Sequence, residues 1–293
     1  MRSLFFIGIF SFSVPFSVFA KTAIISPTYV TQGDPIMITV TDASTSYILS
    51  GKISGTLLHF TTYDSVPTAF YGVDINQKIG TTSVIVRFID GSSVTTSFYV
   101  NTLVRPQEFL AVPDQVGGNS TQNQAKILTI LSKDNTNLNT FYYPNTIRLW
   151  NDATDASPFI FPIASTTGSP LIVTNKYGYD RQSGSATIVH KGVDFRAPSS
   201  TPVYAISNGI VRGTKKYYMY GNSIIIDHGL NITSMYMHLS RMIVKPVQNV
   251  TKGQLIGYSG ETGYSEGPHL HLTIRIGHIS IDPMKFFALF GLK

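Results

Sequence analysis

The feature that most constrains this chain is the placement of its histidines. Of seven, His190, His228, His238, His269 and His271 fall within positions 190–271, leaving only His59 and His278 elsewhere. Three short segments hold most of them: H-K-G-V-D (His190 to Asp194), Y-M-H-L (Tyr236 to Leu239) and G-P-H-L-H (Gly267 to His271). His190, Asp194, His238, His269 and His271 are groups that suit a zinc ion. In catalytic sites zinc takes three protein ligands and keeps one position for water. The chain has no cysteine, so any metal must rest on His, Asp and Glu.

The spacing adds geometry. On a strand, residues i and i+2 point to one face, so His269 and His271 can share a cleft about 6.6 Å apart. One would bind metal and the other stand behind it. Leu270, Leu272, Ile274 and Ile276 alternate with His271, Thr273 and Arg275, which predicts that strand. His190 and Asp194 are four apart, roughly 13 Å on a flat strand and too far for one ion. Gly192 and Pro198 argue against a helix. A turn at Lys191-Gly192 leading into Val193-Asp194-Phe195 would bring the two side chains together, with Gly192 permitting the bend.

The 293 residues are 43% hydrophobic and 13% charged, which predicts a folded chain with room for two cores. Gly, Thr, Ser, Tyr and Ile recur in short runs, so the expected class is mostly β. Residues 1–20 read as a signal peptide. Arg2 supplies the positive start, Leu4 to Val14 the apolar stretch and Val18-Phe19-Ala20 the cleavage site. No later segment approaches the ~20 apolar residues of a membrane span.

Residues 21–104 are expected to form a small β-sandwich-like domain. Its strand runs are Ile36 to Val40, Thr82 to Phe88 and Val94 to Val100, with a hairpin turn at Asp90-Gly91. Here His59 reads as an ordinary strand residue. Residues 105–165 form a connection with a helix from about Ser120 to Ser132, followed by a polar stretch from Asp134 to Asn139. Trp150 and Phe159 to Pro162 are expected to dock on the next domain. Residues 166–293 form that second β domain, ending in a short helix capped by Asp282 with Pro283 at its first position. The net charge of +6 permits attraction to anionic surfaces, cell-wall polymers among them. No Lys/Arg cluster with interleaved aromatics suggests nucleic acid.

From Tyr177 to Phe287 the chain resembles the lysostaphin/LytM-type zinc metallopeptidases, which cut peptidoglycan cross-links. The resemblance rests on ordered blocks: H-K-G-V-D-F-R-A-P, T-P-V-Y-A, N-G-I-V, Y-G-N-S-I-I-I-D-H-G, Y-M-H-L-S, K-G-Q-L-I-G, T-G-Y-S-E-G-P-H-L-H and I-D-P. Q-G-D-P-I and F-Y-G-V-D-I-N-Q-K-I-G-T are similar to the amino-terminal domain of exported members. The resemblance implies an antiparallel β-sheet with a zinc groove. Its Zn2+ ligands would be His190, Asp194 and His271, with His238 and His269 as the catalytic histidines. A zinc-activated water would attack a peptide carbonyl while the two histidines serve as base, acid and oxyanion stabiliser.

The implied setting is the periplasm. The implied substrate is the stem-peptide cross-link, D-alanyl–diaminopimelate, and the amino-terminal segment would cover the groove at rest. The sequence names no recruiting protein. The loop Arg181 to Val189 is long for the family, and Asp180 displaces an arginine usual there. Two other readings are an idle LytM-like wall-binding regulator of an amidase and an exported Ig-like adhesion protein. Further candidates are His228 as a turn residue, His278 on a solvent-facing hairpin and Glu261 and Glu266 beside the H-L-H strand. Tyr204, Tyr220, Asn222 and Tyr236 are candidates for the groove wall or for packing.

Overall fold

The structure, a computed structural model, describes residues 20–109, 120–141, 147–150, 157–164, 171–183 and 186–292. The expected signal peptide thus lies, except for Ala20, outside the described residues. No described helix is long and apolar enough to cross a membrane.

The chain is mostly β, as expected. Its amino-terminal part is a sandwich of two sheets. One runs in the order Thr22–Ser26, Pro35–Thr41, Val66–Gly72, Thr61–Tyr63, and the other Val30–Thr31, Ser93–Asn101, Gly80–Phe88, Ile48–Ile53, Thr56–Leu58. Strict alternation along Gly80–Phe88 sends Val84, Val86 and Phe88 inward to meet Ile36, Ile38 and Val40, the pattern of a half-buried strand. His59 is half-buried between Thr56–Leu58 and Thr61–Tyr63, in a connection where a strand was expected.

The carboxy-terminal part is built on one large sheet. Its order is Val173–Asn175, Val193–Arg196, His269–Ile276, Ile232–Leu239, Gly221–Asp227, Gly209–Tyr217, Asn249–Val250, with Ile279–Ile281 also paired to His269–Ile276. A smaller sheet joins Pro202–Tyr204, Leu255–Tyr258 and Arg241–Met242. Leu272, Ile274 and Tyr236 face the core between these sheets. The final helix, Pro283–Leu289, has Asp282 as its cap, accepting from the amides of Met284 and Lys285. It is α2; α1 spans Thr121–Asn139.

Two expectations for the connecting region change. First, α1 begins at its Ser120 cap as predicted but continues through Asn139. The polar stretch after Ser132 is therefore its last two turns, held by tertiary contacts that outweigh the weak helix propensity of Asp, Asn and Thr. Second, the long loop after Asp180 is a hairpin, Asp180–Ser183 with Ala186–Val189, and Gln107–Phe109 adds to it as a parallel third strand.

Trp150 does more than dock on the second part. It lies among Tyr63 and Phe70 of the sandwich, Phe159 of the connection and Phe290 of the carboxy-terminal part, with ring centroids 5.4–6.0 Å away. Close approach continues beside it, where a Cβ on Gly72 would sit 2.9 Å from Ile281. Lys285 Nζ meets Asp34 Oδ1 at 2.5 Å, and the Asp282 amide donates to Gly33 O. The two parts are thus packed directly on each other.

Candidate metal and catalytic site

The site is assembled by strand register. Asp194 and His271 are direct cross-strand partners, so both side chains leave the same face of the sheet. His190 precedes the strand of Asp194 by a tight turn. Gly192 at that turn has an ordinary φ. What it provides is room, since a Cβ there would lie 2.5 Å from His271 Nε2 and 2.6 Å from Leu272 O. The bend expected at Gly192 is present, and the close approach of His271 and Leu272 is what restricts the position to glycine.

Three ligand atoms converge. His190 Nε2 lies 3.2 Å from Asp194 Oδ1 and 3.0 Å from His271 Nδ1, and His271 Nδ1 lies 2.8 Å from the same carboxylate oxygen. All three residues are buried. The tautomers follow from the outer partners. His190 Nδ1 donates to Lys176 O at 2.7 Å, leaving Nε2 as a lone pair. His271 Nε2 donates to Thr273 Oγ1 at 2.8 Å, while Thr273 passes its own proton to Lys191 O. His271 Nδ1 is therefore also a lone pair. Reversing either tautomer would leave a buried acceptor without its donor, at about 1–3 kcal/mol.

Two bare nitrogens and a carboxylate oxygen thus face one point. The other oxygen of Asp194 accepts from Arg181 Nη2, and Glu108 stands 3.6 Å from Arg181 Nε. Both lie on the three-stranded hairpin sheet, so that sheet braces the carboxylate from behind.

Beside this cluster stand the other two histidines, with ring centroids 4.7 Å apart. Met237 pairs across the sheet with His271, so strict alternation would turn His238 away from the site. Instead His238 has φ 60°, and this left-handed residue at a bulge returns its ring to the groove, where its centroid is 6.0 Å from that of His271. Such a conformation costs a non-glycine residue about 1–3 kcal/mol and marks functional sites. His238 Nδ1 donates to Thr262 O at 2.8 Å and His269 Nδ1 to Gly267 O at 2.8 Å. Each ring therefore carries its lone pair on Nε2, and His269 Nε2 is 3.8 Å from Asp194 Oδ1. Burial first, then nearby His269 and His271, push the His238 pKa down to about 3, so it is neutral at neutral pH.

The site opens into a cavity of about 280 Å³ lined by His190, His238, His271, Tyr220, Arg275 and α1 residues. Of the four wall candidates only Tyr220 lines it. Tyr236 is core, its hydroxyl oxygen accepting from the Ile206 amide and from Ser234 Oγ. Asn222 bonds Leu239 O, and Tyr204 lies on Pro202–Tyr204 away from the cavity. Glu261, Glu266 and His278 are exposed.

α1 lies over the opening. Asp134 accepts from the Met219 amide at 2.9 Å, Asn135 from the Tyr220 hydroxyl at 2.7 Å and Asn139 from Arg275 Nη1 at 2.9 Å. Sequence reasoning missed Arg181, Thr273, Thr262 and these α1 residues. The only signal was the unusual wealth of Asn and Asp late in a helix.

Residues 188–283 match the model of peptidase family M23. That segment is an M23 peptidase domain. Two relatives from Vibrio cholerae are similar. Peptidoglycan DD-endopeptidase ShyA is 42% identical over 96 residues, 33% of this chain and 22% of its own length. Peptidoglycan DD-endopeptidase ShyC is 32% identical over 161 residues, 55% of this chain and 35% of its own. The chain thus spans about a fifth to a third of these relatives. A crystal structure from Pseudomonas aeruginosa, provisionally assigned to peptidase M23, shares the fold at TM-score 0.56 and 21% identity, covering 81% of this chain and 86% of that one.

His228 stands where the chain turns between Gly221–Asp227 and Ile232–Leu239, the turn position expected of it. It is fully buried, with Nδ1 on Asn208 O and Nε2 on Ser234 Oγ, both at 2.7 Å. Burial pushes its pKa from 6.5 down to about 4. Between these values the unfolded chain holds the extra proton, so stability is fully present above pH 6.5 and falls as the pH drops towards 4. The loss is on the order of 3 kcal/mol. In urea unfolding at pH 7.5 and pH 4.5, His228→Gln is expected to lose less stability between the two pH values than the parent. Equal losses would contradict this assignment.

Proposed function

We propose that this protein is a zinc-dependent endopeptidase that hydrolyses peptide cross-links of peptidoglycan outside the cytoplasm. The observation that carries the reading is the convergence of His190 Nε2, His271 Nδ1 and Asp194 Oδ1, with both imidazole protons committed elsewhere. Three such acceptors at one buried point call for a cation, and two imidazoles with one carboxylate are a donor set that suits zinc. Bound there, zinc would supply Lewis acidity and lower the pKa of a water to about 7.

The chain's own residues do the rest. Arg181 holds the outer oxygen of Asp194, which keeps the inner one aimed at the site. The carbonyls of Thr262 and Gly267 hold Nδ1 of His238 and His269, leaving Nε2 of His238 on the wall of the cavity and Nε2 of His269 3.8 Å from Asp194 Oδ1. One ring then accepts the proton of the attacking water and delivers it to the leaving amine, while the other, in its protonated form, donates to the developing oxyanion. The M23 match and the names of the V. cholerae relatives support the substrate class. The D-alanyl–diaminopimelate bond is the specific target of this reading.

Purified protein incubated with isolated sacculi is expected to release cut cross-links, and a chelator to abolish the release until zinc is restored. His190→Ala and His271→Ala should lose both metal and activity. His238→Ala should keep stoichiometric zinc while losing at least about 100-fold in rate, as removal of a general base does. Chelator-resistant release, or a His238→Ala protein as fast as the parent, would overturn the reading. An idle wall-binding regulator would bind sacculi and release nothing.

The same reading makes α1 an internal plug, because it bonds three groove residues, Met219, Tyr220 and Arg275, and seats Leu138 against Met235 and Met237. Leu138→Ala removes part of that seat, at about 2–5 kcal/mol. It should raise sacculus hydrolysis several-fold with zinc content unchanged. Unchanged or lower activity, with zinc retained, would count against the plug.

A further inference from the structure

Arg275 stands on the strand that carries His269 and His271, and it shares their face at i+4 from His271. Its exposure is 9%, yet it lines the same cavity as the metal-ligating candidates. A buried guanidinium is costly unless a negative charge compensates it. Among the described residues none does. Its partners are the neutral side chains of Asn139, at 2.9 Å, and Ser280, at 3.4 Å. Two of its five N–H groups are engaged in this way.

The surroundings are short of acceptors too. Tyr217 and Tyr220 lie near enough to interact electrostatically with Arg275. The Tyr220 hydroxyl donates to Asn135 of α1. The buried Tyr217 hydroxyl has no hydrogen-bond partner among the described residues. Donors therefore gather at this end of the cavity. The oxygens that α1 lends to Arg275 and Tyr220 are amide oxygens, while its one nearby carboxylate, Asp134, accepts from the Met219 amide and acts on Tyr217 and Tyr220 only through space.

We infer that Arg275, with the Tyr220 hydroxyl, binds a free carboxylate of the peptide substrate, at the place that Asn139 and Asn135 occupy when α1 covers the groove. This rests on the peptidase reading above and names a specificity determinant within it. Along the strand Arg275 is about 13 Å from His271. An extended peptide covers that distance in roughly two to four residues once the length of the arginine is allowed for. The carboxylate is therefore on a residue remote from the bond cut. Its contact forms on binding and persists to the transition state, so its loss raises KM and leaves kcat nearly unchanged.

The test uses the full chain loaded with zinc and cross-linked muropeptides in two forms, with every carboxylate free or with one at a time converted to its primary amide. The parent is expected to prefer the free acid to one of the amides by roughly 10- to 100-fold in kcat/KM, the range of a hydrogen-bonded charge pair. In Arg275→Gln that ratio should fall to near one, and Arg275→Lys should keep part of it. Because each ratio is taken on one preparation, neither partial unfolding nor release of α1 alters it. A parent that cuts every amide as fast as the acid, or an Arg275→Gln protein with the parental ratio, overturns the inference and leaves the peptidase reading intact. Failure of the parent and of Leu138→Ala to cut any form defeats that reading, and this inference with it.

Discussion

Two imidazole lone pairs and a carboxylate oxygen lie within 3.2 Å of one another with no proton between the rings. Left to themselves these groups repel. They stay together because each is tied from behind: His190 to Lys176 O, His271 through Thr273 to Lys191 O, and Asp194 to Arg181. Much of the surrounding architecture can be understood as the scaffold for those ties. The register that opposes Asp194 to His271 sets two members, and the missing side chain at Gly192 lets the third approach.

The same economy governs the neighbouring histidines. An ordinary strand would give the groove His271 and hide His238. One left-handed residue changes that, and its strain is offset by the His238 amide bond to Tyr220 O and the ring bond to Thr262 O. Thr262 is itself wedged against Gly221, where a Cβ would come within 2.2 Å of its carbonyl oxygen. The His238 ring is thus held in one orientation, as proton transfer requires. The opposite wall of the cavity is α1, held on the groove by three hydrogen bonds and by two buried side chains, Ile127 clustered with Met219 and Tyr264 and Leu138 with Met235 and Met237.

The site was largely legible in the sequence because its chemistry is concentrated in three short segments. The period-two pattern around His269 to Ile276 announced a strand, and strand geometry then implied a shared face. The β class and the capped final helix were legible for similar local reasons. What was not legible depended on contacts distant in the chain. The last turns of α1 read as loop because Asn and Asp favour loops until Met219, Tyr220 and Arg275 bind them. Arg181 was counted as part of a loop, and only hairpin pairing carries it to Asp194. The bulge that re-aims His238 arises from a mismatch between two strands, which neither strand shows alone.

The central claim is that this trio of atoms is a ligand set. X-ray absorption at the zinc edge of the protein reconstituted with one equivalent of zinc tests it most directly. The account predicts a four-coordinate ion with two imidazole nitrogens and oxygen donors at about 2.0–2.2 Å, and loss of one imidazole contribution in His271→Ala. A spectrum showing only water oxygens around the ion, or one unchanged by His271→Ala, would contradict it.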